Sequence, residues 1–204
     1  MTRRFKLLVL AAGLVVLGFV ARSDLGHFVL REIRPRGPLP PSSLPEQSPI
    51  KEPRVVVIHK SERVLGLYID EELAAVFPIG LGRHPEGPKT KQGDGRTPEG
   101  RYYICTRNDR SRFHLFLGLS YPSIQDAERG VLEHRISKHE YDGIATAIRA
   151  KRQPPWDTAL GGEVGIHGYG AGSDWTLGCI ALDNRAIEHL WSNLEKGDLV
   201  LIEP

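Results

Sequence analysis

A histidine and a cysteine lie twelve positions apart near the end of the chain, with His167 followed by Gly168 and Cys179 preceded by Gly178. The segment between them, residues 169–177, can fold back and bring the imidazole to the sulfur. A thiol with a pKa of about 8.5 is only slightly ionised at neutral pH, and a neighbouring imidazole can remove its proton. The pair therefore predicts a cysteine nucleophile with a histidine base.

The two glycines can support this chemistry through the backbone. Gly178 has no side chain to block close approach, so N–H groups at or near Cys179 can point to a developing oxyanion. The Gly168 carbonyl can accept a hydrogen bond from the second imidazole nitrogen and fix its tautomer. On spacing alone, a structural or fortuitous cysteine and histidine remains the alternative.

Further motifs surround the pair in a consistent order. The signature HG…TLGCIALDN includes DWT at 174–176, and upstream stand GDGRTPEG at 93–100, FHL at 113–115 and SYP at 120–122. Over roughly residues 53–202 the sequence resembles the L,D-transpeptidase (YkuD-type) catalytic domain family. The resemblance implies a mainly β fold, a mixed β-sandwich with one or two small helices.

The resemblance also implies a reaction. Cys179 would attack the carbonyl after diaminopimelate, the third residue of a peptidoglycan stem peptide, and D-alanine would leave. His167 would be general base and then acid, oriented by the Gly168 backbone, and Gly178 would belong to the catalytic loop. An amine acceptor would resolve the thioester into a cross-link, as in peptidoglycan biosynthesis. No metal or organic cofactor is implied, and the expected partner is the stem peptide, bound by a monomer.

Two positions depart from the family pattern, because Leu177 and Ala181 are apolar where many members carry polar groups. The step from His167 to Cys179 is also short, which predicts a short lid and wider access. Substrate placement is then expected to depend on other side chains, namely Tyr169, Trp175 and Thr176, or the loop that carries Arg83, Lys89 and Arg96.

Two alternatives stay open. The first is an L,D-carboxypeptidase or another peptidoglycan hydrolase that uses the same two residues, because the sequence does not separate transfer to an amine from transfer to water. The second is a non-catalytic wall-binding domain held by a disulfide between Cys105 and Cys179, the two cysteines of the chain. The histidines lack the paired spacing of zinc ligands, so no metal site is predicted.

The elements that must position the pair are mostly strands. The 22 glycines and 15 prolines favour turns and short strands over a helical bundle. A helix is predicted over 186–194, capped at Asp183 or Asn184, and residues 123–152 are helix-compatible. The glycine-rich residues 80–100 predict a long loop. β-Branched and alternating runs predict strands at 54–59, 63–70, 73–77, 101–106, 113–119, 162–168 and 199–202.

The first part of the chain predicts export. Residues 1–22 form a signal peptide or membrane anchor, since basic residues precede an apolar run and residues 7–21 could anchor the chain. Residues 23–52 form a proline-rich linker to a catalytic domain at 53–204. The net charge of +2 depends on Arg3, Arg4 and Lys6, so the folded part lacks the basic character of a nucleic-acid binder. A periplasmic location is expected.

Overall fold

The computed structural model describes residues 51–204. The predicted signal or anchor, and the predicted linker up to residue 50, lie outside the described residues. Within 51–204, no helix is long and apolar enough to cross a membrane.

The described residues form eight strands and three helices. In chain order they are β1 (Arg54–His59), β2 (Val64–Ile69), β3 (Glu72–Pro78), β4 (Gly100–Ser111), β5 (His114–Leu119), α1 (Ile124–Leu132), α2 (Lys138–Arg149), β6 (Gly165–His167), β7 (Ile180–Ala181), α3 (Asn184–Asn193) and β8 (Leu199–Glu203). The predicted mainly β fold is confirmed.

All eight strands belong to one mixed sheet in the order β3-β2-β1-β8-β4-β5-β6-β7. The pairs β1 with β8 and β6 with β7 are parallel. Strand β4 changes partner along its length, because Gly100–Tyr103 pairs with β8 and the rest, from Ile104, pairs with β5. The two halves of the sheet are thus offset along β4, which lets the sheet curl around a shared core.

The core draws on both halves of the sheet and on α3. It includes Val56 and Leu65 from one half, Leu117 and Ile166 from the other, and Ile187 from the helix. Each fully buried aliphatic side chain of this kind contributes roughly 1.5–3 kcal/mol. The short strands that carry the candidate site are therefore fixed by a core much larger than themselves.

The structure has one helix more than the one or two that were predicted. Residues 123–152 contain both α1 and α2, and each begins with a serine capping box. Ser123 is paired with Asp126, and Ser137 with Glu140, so two amides at the start of each helix have a hydrogen-bond partner. The two helices pack around a second cluster, Ala127, Ile136, Ile144 and Leu160.

Candidate active site

The parallel pair β6 and β7 places His167 and Cys179 on one face of the sheet. Ile166 lies opposite Ile180, and His167 lies opposite Ala181. Cys179, one residue before β7, therefore lies beside Gly165. Side chains alternate along a strand, so the two isoleucines point into the core while the imidazole and the sulfur point to the other side.

His167 is buried and held in a single orientation. Its Nδ1 lies 2.7 Å from the Gly168 carbonyl oxygen. Because a carbonyl only accepts, Nδ1 carries the proton and Nε2 keeps its lone pair. The imidazole stacks on Phe113, with 4.7 Å between ring centroids, and meets the Trp175 ring at 5.5 Å. The hydrogen bond thus joins the two groups for which the sequence predicts a contact, and the catalytic role of Gly168 stays a prediction.

Burial lowers the pKa of His167 below its ordinary value, against an opposing effect of the hydrogen bond to Gly168. Removal from water disfavours the charged imidazolium. The imidazole is therefore neutral at pH 7 and has a free Nε2 lone pair, as a base requires.

The Cys179 thiol is protonated in the resting site. Burial raises its pKa to about 11, against the opposing effects of a backbone hydrogen bond from Gly165 and the charge of Lys89, while the charge of Glu163 raises it further. The thiol donates a hydrogen bond to the Glu163 carbonyl oxygen, 3.5 Å away. The resting pair is thus a neutral thiol and a neutral imidazole, so a nucleophilic attack by the sulfur would require the thiol proton to be transferred.

Both side chains open into one cavity of about 510 Å³. Its walls include the aromatic rings of Phe116 and Trp156, and residues from the tip of the β4–β5 hairpin reach its rim. A carbonyl group of an extended peptide can enter this space and meet the sulfur and the imidazole together.

The loop between His167 and Cys179 is tied through Asp174 to Leu81, in the segment that follows β3, and to Arg63. Its carboxylate accepts from the Leu81 amide at 2.9 Å and from Arg63 Nη2 at 2.8 Å. Trp175 follows directly and donates from its indole N–H to the Gly170 carbonyl at 3.1 Å. The Asp-Trp pair of the DWT motif therefore fixes the loop and packs it against His167.

Thr176, predicted to bind substrate, is engaged within the loop. Its hydroxyl donates to the Cys179 carbonyl at 2.7 Å and accepts from the Gly178 amide at 3.1 Å. The Gly178 amide therefore donates within the loop, and an oxyanion would need a hydrogen bond from another donor. Tyr169 is 63% exposed and contacts Phe113 edge-on, so its side chain is accessible.

Position 178 requires glycine for two reasons, the closeness of a neighbouring backbone and its own backbone conformation. Its φ is +137°, and a Cβ added there would lie 2.6 Å from the Arg96 carbonyl oxygen. Neither the carbonyl nor the conformation leaves room for a side chain. The loop that carries Cys179 therefore lies directly against the residue 93–100 motif.

Replacing Gly178 by alanine is expected to lower the free energy of unfolding by about 2–3 kcal/mol, since it adds a steric clash to an unfavourable φ. Urea unfolding checks this. Gly93→Ala is the matched control, because Gly93 also has a positive φ, +77°, but has no atom within 4 Å of an added Cβ. Equal losses in the two variants would show that the contact with Arg96 is not responsible.

Asp94 organises the residue 93–100 motif from within. Its carboxylate accepts from Lys89 Nζ at 2.8 Å and from three backbone amides, those of Thr90, Lys91 and Arg96. The Lys89 side chain is only 3% exposed. The Lys89 ammonium is therefore held in a buried ion pair, and the role of its loop in placing substrate stays a prediction.

The two cysteines are free in the structure, so it holds no disulfide between Cys105 and Cys179. Cys105 lies in β4, and burial raises the pKa of its thiol to about 12. It is a half-buried side chain whose thiol is poorly ionised at neutral pH.

Several residues of the site carried no assigned role in the sequence. Phe113 contacts the imidazole, Arg63 holds Asp174, and Glu163 accepts from the thiol through its backbone carbonyl. The FHL motif pointed to Phe113, and the DWT motif pointed to Asp174. The role of Arg63 could not be found in the same way, because it depends on a contact 111 positions away in the chain.

A comparison with models of protein families shows the family of this chain. The model of the L,D-transpeptidase catalytic domain, YkuD, matches residues 53–202. The chain belongs to this family. His167, Gly168 and Cys179 all lie inside the matched region of the L,D-transpeptidase domain, and the mainly β sheet is the fold of that domain.

Solved structures are similar to this L,D-transpeptidase domain at low identity. The helical cell shape determining protein Pgp2 from Campylobacter jejuni is 23% identical, with a TM-score of 0.52, over 74% of this chain and 47% of that one. An L,D-transpeptidase from Xylanimonas cellulosilytica is 16% identical, with a TM-score of 0.45, over 78% of this chain and 65% of that one. The likeness to Pgp2 shows the fold. This chain spans less than two thirds of either protein, and a comparison with curated proteins finds no match.

Proposed function

We propose that this chain is a cysteine-dependent L,D-transpeptidase that acts on peptidoglycan stem peptides through an acyl-enzyme at Cys179. The observation that carries the proposal is the state of His167. Its Nδ1 proton is committed to the Gly168 carbonyl, its ring is neutral, and it shares a sheet face and a cavity with the thiol. This is the arrangement of a nucleophile and its general base.

Acylation begins when the Cys179 sulfur attacks the carbonyl carbon between the third residue and D-alanine. His167 Nε2 takes the thiol proton, so no thiolate has to form in advance. The tetrahedral intermediate then collapses as the imidazolium returns that proton to the nitrogen of departing D-alanine. The C–N bond breaks, a thioester to Cys179 remains, and the imidazole is neutral again.

The acceptor amine reverses these roles. Its nitrogen attacks the thioester carbonyl while His167 Nε2 takes an amine proton, and the C–S bond breaks as the proton passes to sulfur. The product is a new amide, a cross-link between two stems, and the free thiol. Water in place of the amine would yield a tripeptide by the same proton transfers, so acceptor choice separates a transpeptidase from a carboxypeptidase.

The proposed place of action is the periplasm, reached by export or by anchoring through residues 7–21. The support is the sequence pattern of residues 1–22, since stem peptides occur outside the cytoplasmic membrane and the basic and apolar segment is typical of exported chains. A role in cell wall biogenesis and cell shape, exercised by a monomer, belongs to the same proposal.

The test is to trap the acyl-enzyme. The protein is incubated with purified stem tetrapeptide, D-alanine is quantified, and the protein is digested and examined by mass spectrometry. We expect D-alanine release and a tripeptidyl adduct on Cys179. Cys105 is the internal control, because its half-buried thiol has a raised pKa and should stay unmodified. An adduct on both cysteines, or intact tetrapeptide with a reduced and folded protein, would contradict the proposal.

The same incubation names the acceptor. With a second stem peptide present, a cross-linked dimer indicates transfer to an amine, and accumulation of the tripeptide alone indicates transfer to water. The first outcome is the one we expect.

A further inference from the structure

The cavity beside Cys179 is lined by charges of both signs that have no ion-pair partner. Glu163 and the hairpin-tip residues Arg110 and Arg112 line it together with the sulfur and the imidazole. Among the ion pairs within residues 51–204, none uses any of these three side chains. Their charges are available to a ligand in the cavity.

Glu163 stands in an unusual backbone position for its side chain. Its φ is +54°, in the left-handed region, and it follows Gly161 and Gly162. An L-residue other than glycine is strained there, and such strain concentrates at functional sites. Its backbone carbonyl accepts a hydrogen bond from the Cys179 thiol. The charge of its carboxylate lies close enough to raise the pKa of that thiol. The carboxylate is therefore near the reacting sulfur and also exposed to solvent.

Arg112 supplies the opposite charge next to the histidine. Its guanidinium carbon lies 5.0 Å from the centre of the Phe113 ring, and the same ring stacks on His167. Stacking restrains the guanidinium but leaves its N–H groups free. A guanidinium presents paired donors that match a carboxylate.

Apolar surface also lines this cavity. The rings of Phe116 and Trp156 line the same cavity, and the Trp156 indole is fixed by its hydrogen bond to the Tyr121 carbonyl at 2.9 Å. Such rings suit a short methylene chain. The cavity thus combines an anion, a cation and an apolar wall beside one nucleophile.

We propose that Glu163 and Arg112 are specificity-determining residues that bind the far end of the third stem residue, selecting a side chain that carries both an ammonium and a carboxylate. The inference rests on the proposed function and deepens it. Diaminopimelate has that side chain, with three methylene groups between the attacked centre and the second one. Glu163 accepts from the ammonium, Arg112 donates to the carboxylate, and the aromatic rings contact the methylenes. Lysine at the same position has the ammonium alone.

The experiment compares D-alanine release from two tetrapeptides that differ only in diaminopimelate or lysine at position three. The variants are Arg112→Gln and Glu163→Gln, both at exposed positions. Arg101→Gln is the matched control, because Arg101 is exposed near the opposite end of β4 and does not line the cavity. The readout is kcat/KM for each peptide.

We expect Arg112→Gln to lower kcat/KM about tenfold for the diaminopimelate peptide, a typical effect of losing one charge-assisted contact, and to change the lysine peptide less than about twofold. Glu163→Gln should lower both, since both carry the ammonium, and Arg101→Gln should change neither. Equal losses on both peptides in Arg112→Gln would assign Arg112 to the terminal carboxylate of D-alanine and overturn the proposal. Unchanged values in both would overturn it as well.

Failure of the proposed function is recognised separately. If the unaltered protein releases no D-alanine, calorimetric binding of the diaminopimelate and lysine tripeptides to the same variants tests the inference without turnover. The preference for diaminopimelate and its loss in Arg112→Gln are expected there too. Equal affinities for the two tripeptides in the unaltered protein would overturn it.

Discussion

Replacing His167 by alanine is expected to lower the rate of D-alanine release by about 10²- to 10⁴-fold at neutral pH, the usual range for loss of a general base. The reason is the state of the thiol. With a pKa of about 11, roughly one Cys179 in ten thousand is ionised at pH 7 without a base. In the proposed mechanism, His167 removes the need for prior ionisation by taking the thiol proton during attack.

The pH profiles of the two proteins should differ in shape. Because burial holds the pKa of His167 below its ordinary value, the unaltered protein loses activity only as acid protonates the imidazole, and its rate is level above that pKa. In His167→Ala the rate should rise about tenfold per pH unit as the thiolate fraction grows toward the thiol pKa. The measurement is D-alanine release between pH 5 and 10.

Two variants serve as controls for the role of His167. His139→Ala removes an exposed histidine on α2 and should behave like the unaltered protein. Cys179→Ala should be inactive at every pH, since no rise in pH can supply a sulfur. A His167→Ala profile that is level and close to that of the unaltered protein would show that another group is the base.

The sequence predicted that His167 and Cys179 lie near one another, and it predicted most of the strands, for physical reasons that are local. Runs such as Val55–Ile58 are β-branched and bury both faces, so their strands are evident without tertiary information. His167 and Cys179 could be paired because a glycine-bounded loop joins them. The strand β7 was missed, since two residues beside Cys179 carry no periodic pattern and are held by pairing with β6.

The surroundings of the pair could not be predicted because they depend on contacts far apart in the chain. Phe113 stacks on His167 just before β5, where the Gly168 amide donates to the Phe113 carbonyl at 3.0 Å. The neutral state of thiol and imidazole follows from burial, which spacing does not report. The environment of Lys89 could not be predicted for the same reason. A lysine in a glycine-rich segment suggested an accessible cation, but the fold buries it against Asp94.

Replacing Asp94 by alanine is expected to lower the free energy of unfolding by about 3–5 kcal/mol, because it leaves the Lys89 ammonium buried without a counter-charge. The Asp94 side chain is 7% exposed and also accepts from three backbone amides, which would lose their partner. Urea unfolding at pH 7 measures the change. Asp142→Ala is the matched control, since the Lys138–Asp142 ion pair is exposed and should contribute less than about 1 kcal/mol.

A second variant tests the cause. Adding Lys89→Met to Asp94→Ala removes the unpaired charge and should recover part of the lost stability, while the three amides stay unsatisfied. No recovery in the double variant would show that the amide contacts alone account for the loss.

The effect of Asp94 should also depend on pH in a defined direction. Burial alone would raise the pKa of this carboxyl, but the hydrogen bonds from Lys89 and the three amides outweigh burial and hold the pKa below its ordinary value. A carboxyl with a lowered folded-state pKa stabilises the protein fully above its unfolded value and loses that contribution as pH falls through the folded value. The gap in stability between the unaltered protein and Asp94→Ala should therefore be constant near neutral pH and narrow only in acid below the ordinary carboxyl range.

The same substitution should also slow D-alanine release at pH 7, because Arg96 of the residue 93–100 motif lies against Gly178. A destabilised variant with unchanged release would show that the stability of the motif does not determine the position of Cys179.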